Sequence, residues 1–216
     1  MKTDIELRND ILDELEWEPS VTATEIGVIV EDGIVTLTGC VYSYPEKWAA
    51  EKAALRVHGV KAVANNIEVK LPTESHRTDE DIARAAANAL DWDVALPNDL
   101  QAVVDNGWVT LSGEVEWQYQ KKTAEVDVAR LIGVKGVINN IKITERDVAP
   151  SVVKGKIEAA LQRHATLDAK GIRVETKGSK VTLEGLVGSW EEREAAEDAA
   201  WAAPGVTDVK NKLSIA

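Results

Sequence analysis

Leu7, Ile11, Leu12 and Leu15 recur at helical spacing near the start of the chain. The same spacing returns at Ile82, Ala86 and Leu90, and again at Val153, Ile157 and Leu161. Asp79 and Ser151 read as N-cap residues, with Glu80 and Asp81 suiting a first helical turn. Each helix gives way to alternation: Ile26, Val28 and Val30; Leu100, Ala102 and Val104; Ile172 and Val174. A period of two predicts strands with one buried face. Asp32-Gly33 and Asn106-Gly107 then predict tight hairpin turns, because these residue types tolerate positive φ. Gly178 takes that part in the third copy, displaced by one residue.

The return strands carry Val35, Leu37 and Gly39; Val109, Leu111 and Gly113; Val181, Leu183 and Gly185. A glycine on the buried side of a strand leaves room for another backbone. A second helix follows, over residues 46–58, 120–132 and 191–202, with small residues inward: Ala50, Ala54, Val57; Ala124, Val128, Leu131; Ala196, Ala200, Ala203. Gly59, Gly133 and Gly205 are expected to stop these helices in left-handed geometry, with the following valine closing a Schellman cap, and Pro204 should end the third one early. The last strand places Asn65, Asn139 and Asn211 among core-facing residues. A buried amide needs partners; bonding to nearby loop backbone is favoured over a place in a ligand pocket.

These stretches keep a fixed register. Gly39 to Gly113 and Gly59 to Gly133 are both 74 apart; Gly113 to Gly185 and Gly133 to Gly205 are both 72 apart. The chain is therefore read as three copies of one module, residues 1–72, 73–147 and 148–216, joined by short proline-containing segments. The fold expected is α/β in the α+β sense: three tandem αββαβ modules, each a three-stranded mixed sheet covered on one face by two helices. The first two strands form a hairpin, and the crossover helix lays the third parallel to the second.

The V-x-L-x-G second strand, G-V helix stop and V-x-N third strand resemble the BON domain of bacterial stress and envelope proteins. The resemblance spans residues 2–71, 78–145 and 151–216. It implies a non-catalytic role: phospholipid association, osmotic or other stress response, or scaffolding. One branch of the family pairs BON with a LysM domain and is associated with potassium sensing, although no LysM segment fits here. Exported members usually carry a signal peptide or lipoprotein cysteine, and neither is expected from the residues that follow Met1. Two function classes stand: a stress-associated module for phospholipid or envelope surfaces, and a cytoplasmic protein-interaction or potassium-sensing scaffold. The cytoplasm is expected if Met1 is the native start, and the periplasm if a signal peptide has been removed.

Charge narrows the partners. The net charge is −12, with 7 basic and 13 acidic side chains over 1–72, 8 and 14 over 73–147, and 10 and 10 over 148–216. Phosphate backbones and anionic lipid repel the first two modules, and nucleic acid is not an expected partner. Lys170, Arg173, Lys177 and Lys180 gather around the third module's hairpin, where the others have Glu25, Glu31, Asp32, Asp99 and Asp105. The third module is therefore the one expected to meet an anionic surface.

Chemistry is sparse. His58, His76 and His164 never recur at matching positions, and Cys40 is the only cysteine. No P-loop, G-x-S-x-G or H-E-x-x-H pattern occurs. Glu14, Glu16, Glu18, Asp91 and Asp93 read as solvated helix ends, not a metal cage. No enzyme activity, cofactor, metal site or transmembrane segment is expected. Seven tryptophans and no phenylalanine are unusual. Trp48 and Leu55 share the outer face of their helix, Trp201 takes the position of Leu55 in the third copy, and the second copy has Lys122 and Ala129, which suit water. The terminal modules are expected to use these faces as contact surfaces, unless the residues simply reach the core edge.

Overall fold

A computed structural model describes residues 2–145, 148–163 and 171–215. It contains the sequence of helix, strand, strand, helix, strand three times. The first repeat runs α1 (Asp4–Trp17), β1 (Ile26–Glu31), β2 (Ile34–Val41), α2 (Tyr44–Arg56), β3 (Ala62–Asn65) and β4 (Glu68–Val69). The second runs α3 (Asp79–Trp92), β5 (Gln101–Asp105), β6 (Trp108–Ser112), β7 (Glu114–Val115), α4 (Gln118–Ala129), β8 (Gly136–Asn139) and β9 (Lys142–Ile143). The third runs α5 (Pro150–Arg163), β10 (Ile172–Lys177), β11 (Lys180–Val187), α6 (Trp190–Trp201) and β12 (Asp208–Ile215).

Spatially the chain divides into two units. One comprises Met1–Asp93, Gln101–Leu111 and Glu125–Asn139; the other comprises Val94–Leu100, Ser112–Ala124 and Asn140–Ala216. The first unit holds the whole first repeat. Its sheet has the order β1-β2-β3, with β4 continuing along β2. β1 and β2 are antiparallel and β2 and β3 parallel. Leu7, Ile11 and Leu15 of α1 and Ala50, Ala53 and Ala54 of α2 bury against Val28, Val35 and Leu37. The same unit holds the β5-β6-β8 sheet of the second repeat, with β6 and β8 parallel.

The second unit holds the parallel pair β7-β9 and the β10-β11-β12 sheet. Val153, Ile157 and Leu161 of α5 and Ala196, Ala199 and Ala200 of α6 cover Val174, Val181 and Leu183. Among the described residues, no strand of one repeat pairs with a strand of another.

The turns differ in a way their residues dictate. Asp32 and Gly33 have φ of 52° and 80°, and Asn106 and Gly107 have 51° and 82°. Positive φ at both central positions marks a type I′ turn. In the third repeat Gly178 has φ 61° and Ser179 is not positive, as in type II′.

Three local expectations are corrected. Thr78, not Asp79, caps α3, accepting from the Asp81 N–H; Thr3 forms a capping box with Glu6; Ser151 lies inside α5 behind Pro150. α2 stops at Arg56, because Val57 is extended with ψ 123°, so Gly59 is not a Schellman glycine. It is the third residue of a β-turn closed by Val60 N–H to Val57 O, with φ 104°. Gly133 and Gly205 sit in the same turn, closed by Val134 to Leu131 and Val206 to Ala203. Gly39 and Gly185 are exposed, not buried, but backbone does fill the space beside them. A Cβ would stand 2.0 Å from Glu25 O at Gly39 and 1.9 Å from Gly171 O at Gly185. At Gly113 it would meet Leu100 Cδ2 at 2.8 Å.

Candidate functional site

The charges at the seam between the two helices differ from repeat to repeat. The first helices already differ in charge: α1 has one basic and six acidic side chains, α3 one and four, and α5 three and one. The α1–α2 seam is closed by opposite charge. Arg56 Nε reaches Glu14 Oε1 at 2.8 Å and Arg56 Nη2 reaches Glu18 Oε2 at 2.9 Å. The hydrogen bond from Arg56 is the main cause that holds the Glu18 carboxyl below the usual glutamate range.

The α3–α4 seam carries the same charges differently placed. Arg130 stands where Arg56 does, but Ala89 replaces Glu14. An acid, Asp127, replaces the buried Ala53, and burial first, then neighbouring Asp93, raise its carboxyl above the usual aspartate range.

The α5–α6 seam carries none of these charges among the described residues. Ala160 replaces Glu14, Ala202 replaces Arg56 and Ala199 keeps the alanine. What remains is an open groove of about 500 Å³. Gly155, Ala159, Ala160, Ala199, Ala202 and Ala203 form its small-residue lining, and Lys156 and Arg163 also border it. Both cations are exposed, and neither is in an ion pair among the described residues. A Cβ at Gly155 would meet nothing within 4 Å. The groove can take a slender apolar body with an anionic end.

The hairpin cations do not form one free cluster. Arg173 pairs with Glu175, and Lys180 pairs with Asp208 at 3.7 Å. Lys177 lies opposite Lys180 in the β10–β11 register, and Lys170 falls outside the described residues, as does His164. On the same face Lys212 reaches Glu184 at 2.9 Å.

Trp48 is half-buried, with Lys52 Nζ 4.8 Å from its ring centroid. Leu55 packs on the core of the first repeat and Trp201 on that of the third, where its indole N–H donates to Glu197. One expectation about the second repeat's outer face is corrected: Ala129 is buried at 1% exposure, whereas Lys122 is exposed, 3.7–3.8 Å from Asp198 and Glu194 of α6.

The recurring asparagines tie strand to helix. Asn65 Nδ2 donates to Lys47 O and Glu51 Oε2, while its Oδ1 accepts from Ile67 N–H. Asn211 does the same with Arg193 O, Glu197 Oε2 and Leu213 N–H, and Asn139 meets Glu125. Glu51, Glu125 and Glu197 were not singled out in the sequence; their spacing of 14 from each asparagine was the available signal.

Among the described residues no group of three or more His, Cys, Asp or Glu could hold a metal ion. No described helix is long and apolar enough to cross a membrane.

Fold and repeat define a tandem αββαβ protein of one family. The BON domain profile matches residues 3–70, 78–145 and 151–216, and the chain belongs to the BON-domain family. It is 36% identical over 141 residues to osmotically-inducible protein Y of Escherichia coli (strain K12), covering 61% of this chain and 69% of that one. Among solved structures it is similar to CdsD, a structural protein of the type III secretion system of Chlamydia trachomatis. One such structure has a TM-score of 0.29 at 14% identity, covering 96% of this chain and 91% of that one. The periplasmic domain of PrgH scores 0.25 at 12% identity, covering 95% and 99%. At those scores the likeness supports no functional inference.

Proposed function

We propose that this chain is a non-catalytic, osmotic-stress-associated protein that binds anionic phospholipid surfaces through its third repeat. The observation that carries the reading is the α5–α6 groove, which is small-sided, bordered by Lys156 and Arg163, and set in the one repeat without excess negative charge. The stress association rests on family membership and on the name of the Escherichia coli relative. Basic residues near an anionic membrane contribute about 1 kcal/mol each and lose that effect within a Debye length. A net charge of −12 opposes binding through the rest of the chain.

Flotation of the full chain with phosphatidylglycerol-containing vesicles tests this. Binding is expected at low salt, falling as salt rises, with little on pure phosphatidylcholine. The double substitution Lys156→Glu and Arg163→Glu is expected to abolish it. No flotation on phosphatidylglycerol at low salt overturns the proposal; a potassium-dependent rise in melting temperature in its place would favour an ion-sensing scaffold.

A further inference from the structure

The tip of the β5–β6 hairpin, Asn106-Gly107, is held at all four of its backbone polar atoms. The N–H groups of Asn106 and Gly107 donate to Asp79 Oδ2 and Oδ1 at 2.8 and 2.9 Å. The Asn106 carbonyl accepts from Lys135 Nζ at 3.2 Å, and the Gly107 carbonyl accepts from the Lys135 N–H at 2.9 Å. The side-chain amide of Asn106 donates through Nδ2 to Asp105 Oδ1 at 2.8 Å.

The first repeat builds the same frame around an acid. The N–H groups of Asp32 and Gly33 donate to Asp4. Lys61 Nζ reaches the Asp32 carbonyl at 2.8 Å, and the Lys61 N–H reaches the Gly33 carbonyl at 2.9 Å. Asp32 and Asn106 share nearly one φ, 52° and 51°. The two positions differ by an amide in place of a carboxylate, so the frame accepts either.

An asparagine before a glycine carries a reaction within itself, because glycine has no Cβ to shield its nitrogen. When hydroxide takes the Gly107 amide proton, the electron pair of that nitrogen attacks Cγ of Asn106. The new N–Cγ bond closes a five-membered imide. The Cγ–Nδ2 bond breaks, and Nδ2 takes a proton from water and leaves as ammonia. Water then opens the imide. Attack at Cγ gives aspartate; attack at the backbone carbonyl carbon gives isoaspartate, with the chain running through one extra carbon. Nothing is oxidised or reduced. The clamp opposes the first step twice. The Gly107 proton lies against a carboxylate, whose charge disfavours a second negative charge on the nitrogen. The amide to be attacked is held by Asp105 in a charge-assisted bond.

We propose that Asn106 is a deamidation site guarded by Asp79: it persists while the clamp is closed, and each opening of the turn exposes it to conversion. The aspartate product reproduces the turn of the first repeat and keeps the clamp. Isoaspartate inserts a carbon between the two N–H groups that one carboxylate now holds together, and so breaks it.

The test incubates the full chain near neutral pH and follows residue 106 by peptide mapping, with fragmentation that separates aspartate from isoaspartate. Folded wild type is expected to convert more slowly than the same chain in urea. Asp79→Ala is expected to speed conversion in the folded chain by about ten- to a hundred-fold, the shift in local opening that loss of a bond to a charged group produces. Asp4→Ala removes the matching clamp of the first repeat, controls for general loss of stability, and should leave the rate at Asn106 as in wild type. In urea all three chains should convert at one rate. Asn106→Asp should keep the Gly107 amide protected from hydrogen exchange. No acceleration by Asp79→Ala, or the same acceleration by Asp4→Ala, overturns the guard. A freely exchanging Gly107 amide in Asn106→Asp overturns the fit of the aspartate product.

Discussion

The carboxylate of Asp79 receives the backbone N–H of Gly107 at 2.9 Å, binding the start of α3 to the tip of the β5–β6 hairpin. Its other oxygen takes the Asn106 N–H at 2.8 Å. Asp4 does the same for Asp32 and Gly33, at 2.9 and 3.2 Å. The third repeat has Pro150 there, whose carbonyl accepts from the Thr176 hydroxyl. A type I′ turn leaves its central N–H groups pointing outward, and the aspartate satisfies both.

Asp79→Ala is expected to destabilise the fold by about 1–3 kcal/mol, the range for hydrogen bonds to a charged group with the partner left behind. Asp79→Asn keeps an acceptor and should lose less. Urea unfolding followed by circular dichroism measures both, and equal losses in the two variants would disprove the role given to the charge.

Asn211→Ala removes two donated bonds and one accepted bond from a half-buried position. A loss of about 1–3 kcal/mol is expected. Asn211→Asp is expected to lose more at neutral pH, because the new carboxylate faces Glu197, and to recover as acid protonates the pair. Melting temperatures at pH 4 and 7 read the difference; a pH-independent penalty would rule out Glu197 as the cause.

Two glycines should respond in opposite directions. Gly185 has φ 137°, and a Cβ there would stand 1.9 Å from the Gly171 carbonyl oxygen, so Gly185→Ala must shift backbone. A penalty above about 2 kcal/mol is expected. Gly155 lies within α5 with open space beside it, and Gly155→Ala should stabilise the helix by about 1 kcal/mol. Denaturant midpoints decide, and a gain at Gly185 would contradict the geometry.

Arg56→Ala tests the α1–α2 seam through pH. The depressed carboxyl of Glu18 owes most to Arg56. Its contribution is present above the unfolded glutamate value of about 4.3 and is lost as pH falls through the lower folded one. The melting temperatures of wild type and Arg56→Ala should differ most near neutrality and converge in acid. High salt should narrow the gap, because the pair is partly exposed. A gap that widens in acid would disprove the pairing as its source.

The fold was legible because its signals are local and repeated. Val35 and Leu37, Val109 and Leu111, and Val181 and Leu183 fix one face of each central strand, and all six are buried. The asparagine bonds were half legible, since backbone partners were expected but the glutamates opposite were not. Asp79 was misplaced because a cap and a turn clamp use the same residue type, and only the returning hairpin separates them. Gly59 was misplaced because the helix stop depends on Val57, whose extended backbone no pattern marks. The groove was hidden for a different reason. Alanines on α6 were read as an inward face of small residues, yet with Gly155, Ala159 and Ala160 also lining the groove they leave space unfilled. Seams depend on pairs of helices, and no single helix's periodicity reports what its neighbour supplies.

The parallel return of the third strand also orders assembly in time. The hairpin β10–β11 joins residues as close as Lys177 and Lys180, whereas β11 meets β12 only after the chain has passed through α6, pairing Lys180 with Asp208. Loop closure of that length comes at an entropic cost before any contact repays it. The hairpin is therefore the natural nucleus, and the third strand docks late. Substitutions on β12 should then show chiefly in how fast the native state opens, and hairpin substitutions in how fast it forms.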